Sequence, residues 1–256
     1  MDPAGPVVVS SDGDVTTVRL ARPEKRNALD AETAAELRAA IDDASSSRVT
    51  ILTGTDRAFC AGGDLEELER WSEMEGDEIG SVLYDTFQGM IRAVRASDSI
   101  VIAAINGAAV GAGMDLALAC DLRVAAQGVK LGQVWVGLGV IPGTGGAWLT
   151  QALAGPTRAA ELLLTGDLLT AEDALEAGLV NAVVPPERLL DSVGEMAARV
   201  LKNPRDGVAA NKRAIVAATE AHLEAALDHA REVQPGRFTS NEFKAALRSR
   251  AATRRS

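Results

Sequence analysis

The sequence predicts an α/β protein whose C-terminal region is α-helical. Strand-like runs rich in Val, Ile and Thr alternate with helical patterns over the first part of the 256 residues. Three glycine-rich segments, starting near Ala61, Asn106 and Gly137, each lead into a helical pattern. From about Thr144 the pattern is helical to the end, apart from residues 180–184. Pro185-Pro186 stops the preceding element and puts a boundary near residue 190, dividing a core of residues 1–190 from a helical region of residues 191–256.

Residues 7–10 and 15–20 are β-rich runs on either side of Ser11-Asp12-Gly13-Asp14, a hairpin turn. Arg22-Pro23 closes the second run. Asp30 can cap a helix reaching about Ala44, with Leu37 and Ile41 four apart on its buried face. Residues 49–52 form a short buried strand. Residues 64–80 are acidic and amphipathic, which predicts a helix-and-loop excursion on the surface. A helix over about 82–95 leads into the continuous apolar strand 100–105. The loop 106–113 then enters a small-residue helix ending near Cys120, and residues 122–125 are another strand. No internal repeat and no low-complexity linker is visible.

Composition narrows the function. Apolar residues make up 47 % of the chain and aromatics only 3 %, so a sizeable core must be built mainly from Ala, Val, Leu and Ile. The formal net charge of −10 argues against nucleic acid as a partner, although a local basic pocket for an anion remains permitted. Two cysteines, Cys60 and Cys120, make no disulfide framework and fit a reducing compartment. The opening residues are polar and broken by prolines, and apolar stretches are interrupted before about 18 residues. A cytoplasmic protein with no membrane partner is expected.

The glycine-rich segments are where chemistry can sit. Phe59-Cys60-Ala61-Gly62-Gly63-Asp64-Leu65 follows a strand, and its glycines let backbone approach a ligand closely. Residues 106–113 run from strand through loop to helix, and the first helical turn offers unpaired N–H groups to developing negative charge. Their glycine spacing also resembles a dinucleotide loop. However, the loop is mid-chain, and the only tyrosine, Tyr84, precedes it and has Gln88 rather than Lys four residues on. Residues 137–146 lack the Gly-Lys-Ser/Thr of a phosphate-cradling loop. His222 and His229 have no third partner for a metal, so no metal site is expected. Cys60 reads as packing, and Arg248, Arg250, Arg254 and Arg255 as a solvated helix end.

The order and spacing of these segments carry a family resemblance that none carries alone. Arg22-Pro23-Glu24-Lys25-Arg26-Asn27-Ala28-Leu29 resembles the opening signature of the crotonase (enoyl-CoA hydratase/isomerase) superfamily. Residues 59–65 resemble its first oxyanion-hole motif, residues 106–121 its second, and residues 131–146 its active-site loop. Leu163-Leu164-Thr165-Gly166 and Gly178-Leu179-Val180-Asn181 are similar to its next stretch. The likeness covers roughly residues 7–235, and the last twenty residues match the pattern poorly.

The resemblance implies a crotonase-like ββα spiral core with C-terminal helices that pack across subunits, as a homotrimer or hexamer. It implies an acyl-CoA thioester as substrate and no separate cofactor, since CoA is part of the substrate. Ala61 and Ala112 fall on the positions whose backbone N–H groups polarise the thioester carbonyl, two donors worth about 3–4 kcal/mol each in comparable sites. Lys25 and Arg26 align with the basic side of the CoA site. Backbone near Ala61, Gly63 and Leu65 would hold the adenine, and Gly62, Asp64 and Gly111 belong to the same substrate-binding segments.

The acid–base residues depart from the pattern. The family's two hydratase glutamates fall on Asp115, a shorter carboxylate, and on Trp135, whose indole donates a hydrogen bond but is no base near neutrality. No Asp or Glu stands between Leu122 and Ala160 to replace it. Displacing a reacting group by about 1 Å can cost on the order of a hundredfold in rate, which disfavours two-glutamate hydration. The expectation is an acyl-CoA enzyme with one proton shuttle, Asp115, suited to double-bond migration or decarboxylation. Trp135 would shape the acyl pocket and exclude water. Asp115 could instead be a helix-start carboxylate that bonds only locally, and the alternative is then a catalytically silent acyl-CoA-binding protein that keeps the oxyanion hole.

Overall fold

The computed structural model describes the backbone of residues 5–255 and the side chains of residues 5–250. The hairpin strands β1 (Val7–Asp12) and β2 (Val15–Leu20) lead to α1 (Ala31–Ala44) and β3 (Val49–Gly54). Next come β4 (Ala58–Cys60), α2 (Leu65–Trp71), α3 (Gly76–Val82) and α4 (Gly89–Ala96), the last two joined by a π-helical stretch at Leu83–Gln88. They are followed by β5 (Ile100–Ile105), β6 (Ala108–Val110), α5 (Ala112–Ala119), β7 (Leu122–Ala126) and β8 (Lys130–Gly132). A 3-10 turn at Val134–Leu138 precedes α6 (Gly146–Thr165), β9 (Leu168–Thr170), α7 (Ala171–Glu176) and β10 (Ala182–Val184). Four helices finish the described chain: α8 (Leu189–Leu201), α9 (Arg205–Ala217), α10 (Glu220–Phe238) and α11 (Asn241–Arg255).

The strands form two sheets. The larger has the order β1-β2-β3-β5-β7-β10, parallel except for the antiparallel edge strand β1. The smaller has the order β4-β6-β8-β9, with β9 antiparallel. β3, β5 and β7 in the large sheet are each followed at once by β4, β6 and β8 in the small one, and a helical segment then leads onward. This is the ββα spiral. It is a structural repeat with no repeat in sequence, because the short strands and turns of each unit differ in length and composition.

Local chemistry explains the elements that frame the site. Asp30 caps α1 by accepting a hydrogen bond from the Thr33 amide at 2.9 Å. All six residues of β5 are buried, as a parallel strand covered on both faces requires. Residues 64–80 are not the surface excursion their acidity suggests. Leu68, Trp71 and Ile79 are buried, and Trp71 meets Phe87 and Phe238 edge-on at centroid distances of 5.3 and 5.1 Å. Apart from the buried Glu67, the glutamates face outward, while the apolar residues close over the centre of the molecule. Phe243 of α11 extends this aromatic group at 5.1 Å from Phe238, so four of the eight aromatics gather where the C-terminal helices meet α2. Val193 and Ala197 of α8 join the same hydrophobic core as the large sheet.

Candidate active site

The signature segment at residues 22–29 acts mainly as a brace. Asn27, fully buried at a positive φ of 56°, donates from its side chain to the Thr55 and Ala58 carbonyls at 2.9 and 2.8 Å. Arg22 donates to the Ala28 carbonyl at 2.6 Å and pairs with Asp30 and Asp64 at 2.8 and 3.2 Å. Asp64 also caps α2 by accepting from the Glu66 amide at 2.9 Å. These bonds fix the first glycine-rich loop against β4 before any ligand arrives.

The two strand-to-helix loops are pressed together by small residues. A Cβ on Gly113 would lie 2.1 Å from the Cys60 carbonyl oxygen, so α5 can start beside β4 only because that position is glycine. Ala112 is the first residue of α5, and its N–H therefore has no partner within the helix. The expected partner donor at Ala61 needs correcting. The Ala61 N–H is occupied, donating to the Arg26 carbonyl at 3.1 Å. Two residues on, Leu29 donates to the Gly62 carbonyl and accepts from the Asp64 amide, both at 2.8 Å. This parallel bridge leaves the N–H of Gly63 facing away from Leu29. Gly63 and Ala112 line one apolar cavity together, and Ala61 does not line it. No sequence pattern announces which amide a neighbouring strand consumes.

That cavity, of about 20 Å³, is walled by Leu68, Trp71, Phe87, Phe238 and Trp135, with Thr144 at its side. Outside it opens a cleft of about 590 Å³. The cleft is lined by Lys25, Arg26, Ala61, Gly62, Gly63, Asp64, Leu65 and Gly111, so it gathers most of the expected substrate-binding residues. Trp135 borders both spaces. Two cations were not expected there: Arg57 and Arg250 also line the cleft. Arg250 therefore departs from the solvated helix end read from sequence, and burial disfavours its charged form. The side chains of Arg254 and Arg255 lie outside the described residues. Lys25 is held by Glu66 at 2.5 Å.

Asp115 is completely buried and does not line the cavity. Its Oδ1 accepts from the Gln133 side-chain amide at 2.7 Å, and its Oδ2 from the Thr144 hydroxyl at 2.5 Å. Burial drives its pKa up to about 6 from the ordinary 3.8, against the opposing hydrogen bonds of Thr144 and Gln133. The nearby Trp135 indole also favours the carboxylate, yet its N–H meets no acceptor in hydrogen-bond geometry. A Cβ on Gly146 would fall 1.9 Å from Oδ1, so α6 can approach this carboxylate only through glycine. Sequence reasoning missed Glu67, the carboxylate that does line the cavity. Its oxygens accept from the Trp71 indole at 2.9 Å and from Arg70, which makes it a strut between neighbouring turns of α2. Cys60 is buried, and burial pushes its thiol up to about 12, in keeping with a packing role.

Comparison with known proteins agrees with this architecture. Residues 10–255 match the family model described as enoyl-CoA hydratase/isomerase. A crotonyl-CoA hydratase of Syntrophomonas wolfei is 35 % identical over 236 residues, covering 91 % of this chain and 88 % of the relative. A 1,2-epoxyphenylacetyl-CoA isomerase of Escherichia coli is 34 % identical over 223 residues, covering 86 % and 85 %. Among solved structures, an enoyl-CoA hydratase from Bacillus halodurans superposes with a TM-score of 0.89 at 27 % identity, covering 96 % of this chain and all of the other. No helix among the described residues is long and apolar enough to cross a membrane.

Proposed function

Because the chain belongs to the enoyl-CoA hydratase/isomerase family, we propose that it takes an acyl-CoA thioester and moves a proton on the acyl chain with one carboxylate, without activating water. CoA lies in the cleft, with Lys25, Arg26, Arg57 and Arg250 facing its phosphates. The thioester passes inward to the cavity, where its oxygen sits between the amides of Gly63 and Ala112. Donors fixed in this way stabilise an enolate without reorganising.

The observation that carries the one-carboxylate reading is the make-up of the cavity wall. It presents the Trp135 indole at the place where the resemblance expects a second glutamate, and Asp115 is the buried acid beside it. Several relatives are named hydratases, so hydration is the reading to exclude. The chain is incubated with crotonyl-CoA, a 3-enoyl-CoA and an aromatic enoyl-CoA in deuterated water, and the products are weighed by mass spectrometry. Isomerised or deuterium-exchanged product is expected. Hydrated product would overturn the one-carboxylate reading. The complete burial of Asp115 favours one second reading, the silent acyl-CoA binder, and binding with no change of mass in any substrate is its signature.

A further inference from the structure

Asp115 has the shorter of the two acidic side chains, and its carboxylate stops short of the cavity wall. The side chain that bonds it most closely does not stop short. Thr144 lines the cavity along with Gly63, Ala112 and Trp135, and its hydroxyl lies 2.5 Å from Asp115 Oδ2. We propose that Thr144 is the group that exchanges protons with the acyl chain, passing each one to Asp115. The inference rests on the acyl-CoA reading of the same site.

The relay balances in one step. An acyl C–H proton moves to Thr144 Oγ as the hydroxyl's own proton moves to Asp115 Oδ2. The C–H electron pair enters the thioester as an enolate, whose oxygen charge falls between the Gly63 and Ala112 amides. Running the relay backwards returns a proton to the same carbon, which gives exchange, or to the far carbon of an allylic system, which gives isomerisation. Thr144 thus supplies the reach that the missing methylene of Asp115 removes. Gln133 holds the other carboxylate oxygen at 2.7 Å, which keeps Oδ2 turned to the hydroxyl. Glu67 is the competing carboxylate on the wall, and its bonds to Trp71 and Arg70 engage both of its oxygens.

The test uses butyryl-CoA, with binding read by calorimetry and α-deuterium uptake from deuterated water read by mass spectrometry. Thr144→Val is expected to lose exchange by about a hundredfold or more with binding within threefold of the parent, and Thr144→Ser to stay within tenfold. A Thr144→Val protein that exchanges as fast as the parent overturns the relay. So does a Glu67→Gln protein that loses exchange when Thr144→Val keeps it. Should Thr144→Val fail to fold, a proton inventory on the parent decides. Release of label from α-deuterated butyryl-CoA should slow in a straight line as the solvent's deuterium fraction rises, because one solvent-derived proton, that of the Thr144 hydroxyl, is in flight during abstraction, and a rate independent of deuterium fraction overturns the relay. A parent that binds butyryl-CoA but exchanges nothing also overturns it, whereas a parent that does not bind any acyl-CoA removes the acyl-CoA reading itself.

Discussion

At the scale of single residues, Asp115 links the fold's stability to its chemistry. Burial raises its pKa from the ordinary 3.8 to about 6. A carboxyl with a raised folded pKa gives its full stability below pH about 4. That contribution is lost as pH rises through about 6, because ionising the buried group then opposes folding. Asp115→Asn removes this cost while keeping an acceptor for Gln133. The variant should be more stable than the parent at pH 7.5, by on the order of 1–3 kcal/mol, and the gap should close towards pH 4. Proton exchange should fall at least a hundredfold in the same variant. In the parent, exchange should climb as pH rises through about 6, since only the ionised carboxylate accepts. Thermal scans and exchange rates across pH 4–8 check both, and a variant that is less stable at pH 7.5 would contradict the assignment of burial as the cause. The gain in stability and the loss of activity come from one buried charge.

At the scale of elements, glycines decide how closely the layers approach. Ala at Gly113 would drive a methyl into the Cys60 carbonyl, 2.1 Å away, and part α5 from β4. The expected cost is about 1–3 kcal/mol, and exchange should fall by on the order of a hundredfold as the two amides separate. Gly194, inside α8, has nothing within 4 Å of a built Cβ. Gly194→Ala should therefore stabilise by roughly 0.5–1 kcal/mol and leave exchange unchanged. Denaturant titration separates the two substitutions, and equal effects would refute the packing argument. This is also where the sequence is hardest to read. β5 and the β1–β2 hairpin are legible from pattern alone, since six residues give periodicity or turn chemistry room to show. β4, β6, β8 and β9 are three residues each, too short for alternation to show, so the small sheet leaves no periodic trace. The lining of the cleft was legible through family resemblance at Lys25, Gly62 and Gly111. The proposed first donor, Gly63, was not, because the Arg26 carbonyl takes the Ala61 amide through a tertiary contact.

At the scale of the whole molecule, one surface asks for a partner of its own kind. Leu164 is 76 % exposed, and Leu168 and Val136 are partly open at 49 % and 40 %. Gly166 lies against Val136 and Leu168 against Gly132, so these two apolar side chains border the region where the end of α6, which carries Leu164, meets β9 and the 3-10 turn. Apolar surface of this kind on a chain of net charge −10 would suit a second copy of the chain. The turn that carries Val136 also carries Trp135, so a subunit seated there would press the indole towards the acyl cavity. The chain should sediment as a closed homo-oligomer, a trimer or a hexamer, at micromolar concentration. Leu164→Asp should shift it towards monomer. Exchange should weaken in step, because the turn bearing Trp135 loses its outer support although no residue of the cavity has changed. Sedimentation velocity and exchange measured on the same samples test the coupling. A parent that is monomeric and fully active would refute it, and a monomeric variant that keeps full exchange would leave the interface but separate it from the site.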